Sequence, residues 1–266
     1  MSGRQAGGNA KSFDSVAMQL SDRRWEGEQG AIAERRRRII REATRLIAQD
    51  GFEKFNLRGL AQRADVSLRT VFNAFQNREN VIALSIWYYF ESFDRYIVHS
   101  TPSDTLAGAI ERLVTTHLRA RRVEGQMRAT TALYFSPTAH PSIRKVMQDI
   151  GGGFFRGWLR AISQAGHLKP GVDVERLIVS IANAEYAVNH EWSLGLIPRT
   201  EFLFRLLEAT LLLLSGGTTG DARSQIERLL GDLYNNGRVL GEMIKIARRH
   251  VKNAEAALSS KRFDVA

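Results

Sequence analysis

The sequence predicts an all-α protein. Three observations carry this: long segments that repeat apolar residues at helical spacing, only five prolines in 266 residues, and polar capping residues placed directly before the periodic segments. Hydrophobic content of 44% supports a real core. A formal charge of +10 calls for an anionic partner, with DNA, RNA and an acidic membrane surface all open on charge alone. The chain has no cysteine, which excludes disulfides, thiolate catalysis and Cys-ligated zinc. There is no apolar run of signal-peptide type, and the most apolar stretch, 202–214, contains Arg205 and Glu208 and is too short to span a bilayer.

Taken in order, residues 1–30 are rich in Gly, Ser, Gln and mutually cancelling charge. They are expected to form a mobile arm, or alternatively a minor-groove arm using Arg23 and Arg24. Residues 31–49 predict an amphipathic helix. Ile39, Ile40, Ala43, Leu46 and Ile47 share one face, and Arg35, Arg36, Arg37, Arg38 and Arg41 crowd its beginning. Cations there oppose the helix dipole, a penalty that a nearby phosphate backbone would reverse. Gly51 ends the helix. Asn56 can cap a short helix over 57–64, Asp65-Val66 makes a tight break, and Ser67 can cap a second short helix. Leu57, Leu60, Ala61 and Ala64 face Val66, Val71 and Phe75, with alanines small enough for a close crossing. Such a pair is a helix-turn-helix, whose second helix fits the DNA major groove. Asn77 caps a helix expected to run towards Val98.

Beyond it, helical segments are predicted at about 103–121, 124–135, 140–166, 173–194 and 199–214. The three glycines 151–153 weaken the third by roughly 2–3 kcal/mol and predict a break. The last two segments carry more apolar residues than one buried face needs: Leu177, Ile178, Ile181, Ala182 and Val188, then Phe202, Leu203, Leu206, Leu207, Leu211 and Leu214. Residues 215–221 read as a Gly/Thr linker, and 222–260 as a helix or helical hairpin that Asn235-Asn236-Gly237 can break.

The stretch Gly51-Phe52, Asn56, Leu60-Ala61, Ala64-Asp65-Val66-Ser67, Thr70, Phe72, Phe75 and Arg78 resembles the signature of the TetR/AcrR family of bacterial transcriptional regulators. Asp65 stands where that pattern has Gly, Phe72 where Tyr is common, and Arg69 where small residues are frequent. The resemblance spans about residues 33–82. It implies a three-helix DNA-binding domain (31–80) and a larger helical effector-binding and dimerisation domain (81–215); the mobile arm (1–30) and the linker with an additional C-terminal helical segment (216–266), a tail longer than a typical member has, are read from the residues themselves. It also implies a cytoplasmic homodimer, nucleoid-associated when bound, that holds a near-palindromic operator in double-stranded DNA as a repressor. The apolar pair 173–194 and 199–214 becomes the dimer element, and a small-molecule effector releases the DNA. The alternative is control by a protein partner through the extra C-terminal helix, without a small effector.

Arg69, Thr70 and Asn73 are the expected base readers, since Arg can bond guanine and Asn adenine through paired contacts. Arg58, Ser67, Phe72 and Arg78 are expected to hold register on the backbone. The implied effector is apolar or aromatic, with Trp87, Phe90, His117, Met127, Tyr134, Phe154, Phe155, Trp158, Asn183 and Tyr186 as its candidate residues. His117 and Asn183 stand out because an unpaired polar group inside a core is costly. No catalytic motif, metal-ligand spacing or cofactor fingerprint is present, so no enzyme activity, membrane partner, metal or cofactor is expected.

Overall fold

The computed structural model describes residues 30–94, 96–120, 124–235 and 237–263; the arm with Arg23 and Arg24 lies outside the described residues. The chain forms two compact units. One comprises residues up to Glu91 together with Pro137–Met147, the other Ser92–Ser136 and Gln148–Ala266. The division falls eleven residues later than the boundary at 80 expected from the sequence, and a short later segment packs with the first unit.

The first unit contains α1 (Gly30–Lys54), α2 (Leu57–Arg63), α3 (Leu68–Phe75) and the start of α4 (Arg78–Asp94). α1 is broken where expected, at Gly51, whose φ of 81° no β-carbon-bearing residue adopts cheaply. Ile39, Ile40 and Ala43 of α1 are buried with Phe55, Leu60, Ala61, Ala64, Val71 and Phe75, and with Val81, Ile82 and Ile86 of α4. The first part of α7 (Pro141–Gly151) adds buried Ile143, Val146 and Met147 to this unit.

The second unit holds α5 (Leu106–Ala120), α6 (Glu124–Phe135), a 3-10 turn (Gly152–Phe155), α8 (Arg156–Gln164), α9 (Val174–Ser193), α10 (Phe202–Gly217), α11 (Gly220–Asn235) and α12 (Arg238–Phe263). Its core gathers Leu113, Phe155, Leu159, Ile178, Ile181, Phe202 and Leu206. The glycine triplet does interrupt the helix, as the 3-10 turn, and it does so for a packing reason. A β-carbon on Gly152 would lie 2.2 Å from the carbonyl oxygen of Ile178, so only glycine lets this turn touch α9. α12 runs along α5, and its Val251 and Ala254 close a small separate cluster with Phe93 and Ile97.

Three expectations are corrected. α4 ends at Asp94, short of Val98. Helix α10 continues through Gly217 and α11 begins at Gly220, so the expected linker shrinks to Thr218-Thr219. Thr218 is fully buried and bridges Leu168, while Lys169 N–H donates to the Gly217 carbonyl and Thr219 N–H to that of His167. Local composition suggested slack; these backbone pairings remove it. The apolar excess on α9 and α10 is also consumed largely within one chain. Every residue named for it except Val188 is buried, because α11 covers α10 with Ile226, Leu230 and Leu233. The exposed large apolar residues here are instead Leu194, Leu196 and Leu212.

Candidate functional site

The helix-turn-helix is built by its caps. Asn56 Oδ1 accepts from Gly59 N–H at 2.8 Å and opens α2. Ser67 Oγ accepts from Thr70 N–H at 3.0 Å and opens α3. Between them Asp65 takes a left-handed φ of 50°, supplying the turn without glycine. Val71 and Phe75 then point into the core, and the opposite face of α3 presents Arg69, Phe72 and Asn73, all exposed. These three sit at i, i+3 and i+4, so one groove can receive them together. Phe72 is 46% exposed, an unusual position for a large ring. Thr70 is half-buried, and its hydroxyl shares a 2.8 Å hydrogen bond with that of Ser67, so the two hydroxyls form one polar edge at the helix start. Arg58 is exposed on α2.

Arg78 is placed otherwise than the sequence suggested. Its Nε donates to the Phe55 carbonyl at 2.8 Å and its Nη2 to that of Phe52. The guanidinium also lies 5.9 Å from the Phe55 ring centroid. Two of its donors are therefore spent on the chain itself, and its geometry is that of a positioning residue. It ties the end of α1 to the start of α4, the two segments that flank α2 and α3. On α1, Arg35 and Arg38 are exposed, while Arg41 pairs with Glu34 at 2.9 Å and Arg63 of α2 donates to Gln49 at 3.0 Å. The basic run is thus a partly neutralised surface whose exposed arginines still favour an anion.

The ten expected effector residues divide between the two units. Trp87 and Phe90 belong to the first unit and are half-buried; the other eight belong to the second. Met127, Phe155 and Trp158 are ordinary members of its main core, with Phe154 packed against it. Tyr134 and Tyr186 stack at 4.2 Å. Asn183 is exposed rather than buried, and its Oδ1 accepts from the Tyr134 hydroxyl.

His117 is buried as expected, but its partners were not foreseen. Its Nε2 lies 3.0 Å from Glu185 Oε1 and its Nδ1 2.8 Å from the Leu113 carbonyl, with Asn189 Nδ2 at 3.2 Å from Nε2. Burial favours the neutral ring, yet the charge and hydrogen bond of Glu185 and the Leu113 carbonyl outweigh it and raise the imidazole's pKa. Burial, then the Glu185 charge, pushes the Tyr186 phenol well up. The missed residues carried a signal: Ile178, Ala182, Glu185, Asn189 and Ser193 recur at helical spacing, which sets three polar side chains on a core face. Among the described residues no helix is long and apolar enough to cross a membrane.

Residues 39–83 match the model of the bacterial regulatory proteins of the tetR family. No curated protein matches the sequence. Among solved structures, full-length TylP, a TetR regulator from Streptomyces fradiae, is similar with a TM-score of 0.51 at 19% identity, over 83% of this chain and 91% of that one. FadR from Thermus thermophilus, a TetR-family transcriptional repressor solved with lauroyl-CoA, gives 0.47 at 20% identity over 68% and 94%. SmeT, the repressor of a Stenotrophomonas maltophilia multidrug efflux pump, gives 0.42 at 14% over 70% and 92%. The match lies on the capped helix pair, so residues 39–83 form a segment of the bacterial regulatory tetR family, set among described residues that hold helices and no β-strand.

Proposed function

We propose that this protein represses transcription by holding a near-palindromic operator as a homodimer, and that a small molecule bound in the second unit releases it. The observation that supports this most is the outer face of α3. Arg69, Phe72 and Asn73 are exposed together on a helix whose start is capped and whose other face is anchored by Val71 and Phe75. A rigid helix with an arginine and an asparagine on its free face suits base readout. Two copies related by a two-fold axis would meet half-sites about 34–36 Å apart. Leu194, Leu196 and Leu212, exposed on the single chain, are apolar surface that such pairing would cover. The small-effector reading is favoured over control through the C-terminal helices because the apolar faces of α11 and α12 are already used within the chain: Ile226, Leu230, Leu233, Ala247 and Val251 are all buried.

Operator selection from random duplexes, at stated salt, tests the reading. Selected sites should be two-fold symmetric and their binding should weaken steeply with salt. Arg69→Ala should relax selectivity at one position in each half-site, at a cost of about 1–3 kcal/mol. A chain that stays monomeric, or that binds every duplex alike, would overturn the proposal.

A further inference from the structure

Helix α9 turns three polar side chains inward, Glu185, Asn189 and Ser193, each at most 4% exposed. Ser193 is satisfied, donating to the His190 carbonyl at 2.8 Å. The other two are only half satisfied. Glu185 Oε1 meets His117 Nε2 at 3.0 Å, and Asn189 Nδ2 donates to the Glu185 carbonyl at 2.8 Å. Glu185 Oε2 and Asn189 Oδ1 are buried and have no hydrogen-bond partner among the described residues. Both are acceptors, one helical turn apart on the same face. Buried acceptors left unmade weigh against the fold until a donor reaches them.

The surroundings narrow what that donor can be. His117 contacts the Leu113 carbonyl through Nδ1 and the Glu185 carboxylate through Nε2, so a proton on each nitrogen satisfies both contacts. The pair is then imidazolium and carboxylate, neutral in sum. An added cation would meet no net charge here and would lose its hydration. An anion would bring acceptors to acceptors. A neutral hydroxyl matches. Gly151 lets the end of α7 close on the carboxylate: a β-carbon there would lie 3.3 Å from Glu185 Oε2 and 3.2 Å from the Tyr186 ring. Tyr186 in turn stacks on Tyr134, giving the site an aromatic wall.

We infer that Glu185 Oε2 and Asn189 Oδ1 form the polar recognition point of the second unit, and that it takes a ligand offering a neutral hydroxyl on an apolar or aromatic frame. The inference rests on reading that unit as effector-binding, and it names the effector's class. The experiment compares phenol, benzylamine, benzoate and toluene, at equal concentrations, by calorimetric titration and thermal shift on the full chain. Phenol should bind and raise the melting temperature, and the other three should not.

Glu185→Gln puts a donor where an acceptor stood, and should weaken phenol about tenfold. Gly151→Ala leaves every polar atom in place but crowds Glu185 Oε2 and the Tyr186 ring, and should abolish the phenol shift. Its helical backbone admits alanine, so it keeps the test open if the glutamine variant fails to fold. Toluene equalling phenol, benzylamine exceeding it, or no probe binding because ordered water serves both oxygens, would each overturn the inference. Selected operator DNA is titrated in parallel. DNA bound with no probe taken up sinks the inference and spares the regulator reading. Phenol taken up without DNA release upholds the site and sinks the effector reading.

Discussion

The two units solve the same problem, pairing polar groups, over different distances along the chain. In the first, Asn56, Ser67 and Asn77 each answer a backbone N–H three residues on. In the second, Arg128 reaches Ser193 across 65 residues and Tyr134 reaches Asn183 across 49. The reading head is therefore held largely by local chemistry, which costs little entropy to close. The body depends on tertiary packing, which also lets it leave acceptors open for something that arrives later.

One substitution made in both units should give opposite signs. Gly152→Ala forces a β-carbon to 2.2 Å from the Ile178 carbonyl oxygen and 2.8 Å from its Cγ2, and the backbone of α9 cannot yield. A loss on the order of 3 kcal/mol is expected in urea unfolding. Gly59→Ala in α2 meets nothing closer than Asn56 Oδ1 at 3.4 Å, an ordinary contact. It should gain roughly 0.5–1 kcal/mol from helix propensity. Equal signs would break the contrast between a close-packed body and a locally supported head.

The next effect tests a long-range tie of the head. Arg78 spends donors on the carbonyls of Phe52 and Phe55, 26 and 23 residues back. Arg78→Ala should lose about 1.5–3 kcal/mol of stability and weaken binding to all operators alike, because both flanks of the helix pair come loose. Arg78→Lys keeps the charge but not the planar fork, and should recover less than half of the loss. If lysine restores DNA binding fully while stability stays low, Arg78 acts on phosphate directly and the positioning role is wrong.

Legibility in the sequence follows the same division. The caps at Asn56, Ser67 and Asn77, the left-handed Asp65 and the exposed Arg69 and Asn73 could all be read, because each depends on residues within a turn or two. Arg78 was read by its type and place beside a helix start, and what it touches lies too far back to see. Asn183 lies off the stripe that runs through Ile178 and Ala182 to Glu185 and Asn189, so it is exposed where they are buried. The apolar excess of α9 and α10 suggested a second chain because nothing in their own composition says that α11 folds back over α10.

Acid should expose another of the body's long-range ties. Glu111 sits where α5, residues 99–101 and α12 meet. Burial pushes its pKa up, but hydrogen bonds from Thr101 and Ser100 and the nearby His250 charge outweigh this and hold it at about 2, below the ordinary 4.5. Thr101 Oγ1 donates at 2.6 Å, Ser100 N–H at 2.7 Å, and His250 Nε2 lies 2.9 Å away. A depressed carboxyl stabilises the fold above its unfolded pKa, and that contribution is lost as pH falls from about 4.5 through about 2. Glu111→Gln should flatten the stability curve across that interval and change its slope little above it, measured by urea midpoints at stepped pH. An unchanged acid limb would show that α12 is held by its apolar contacts and not by Glu111.

A further small change is expected at the joint between α3 and α4. Gln76 has φ 70° and ψ −50°, and Asn77 N–H donates to the Phe75 carbonyl at 2.9 Å. That is a γ-turn of the rare, strained kind, carried by a residue with a β-carbon. Such backbone costs roughly 1–3 kcal/mol. Gln76→Gly removes the strain and returns about 0.4–1 kcal/mol through a freer unfolded chain. A net gain near 1 kcal/mol is therefore expected in urea unfolding. Operator affinity separates two reasons for keeping glutamine. If the stiff turn aims α3, the glycine variant is more stable yet binds DNA less tightly. If affinity is unchanged, the strain is incidental, and the head owes its aim to the caps and to Arg78.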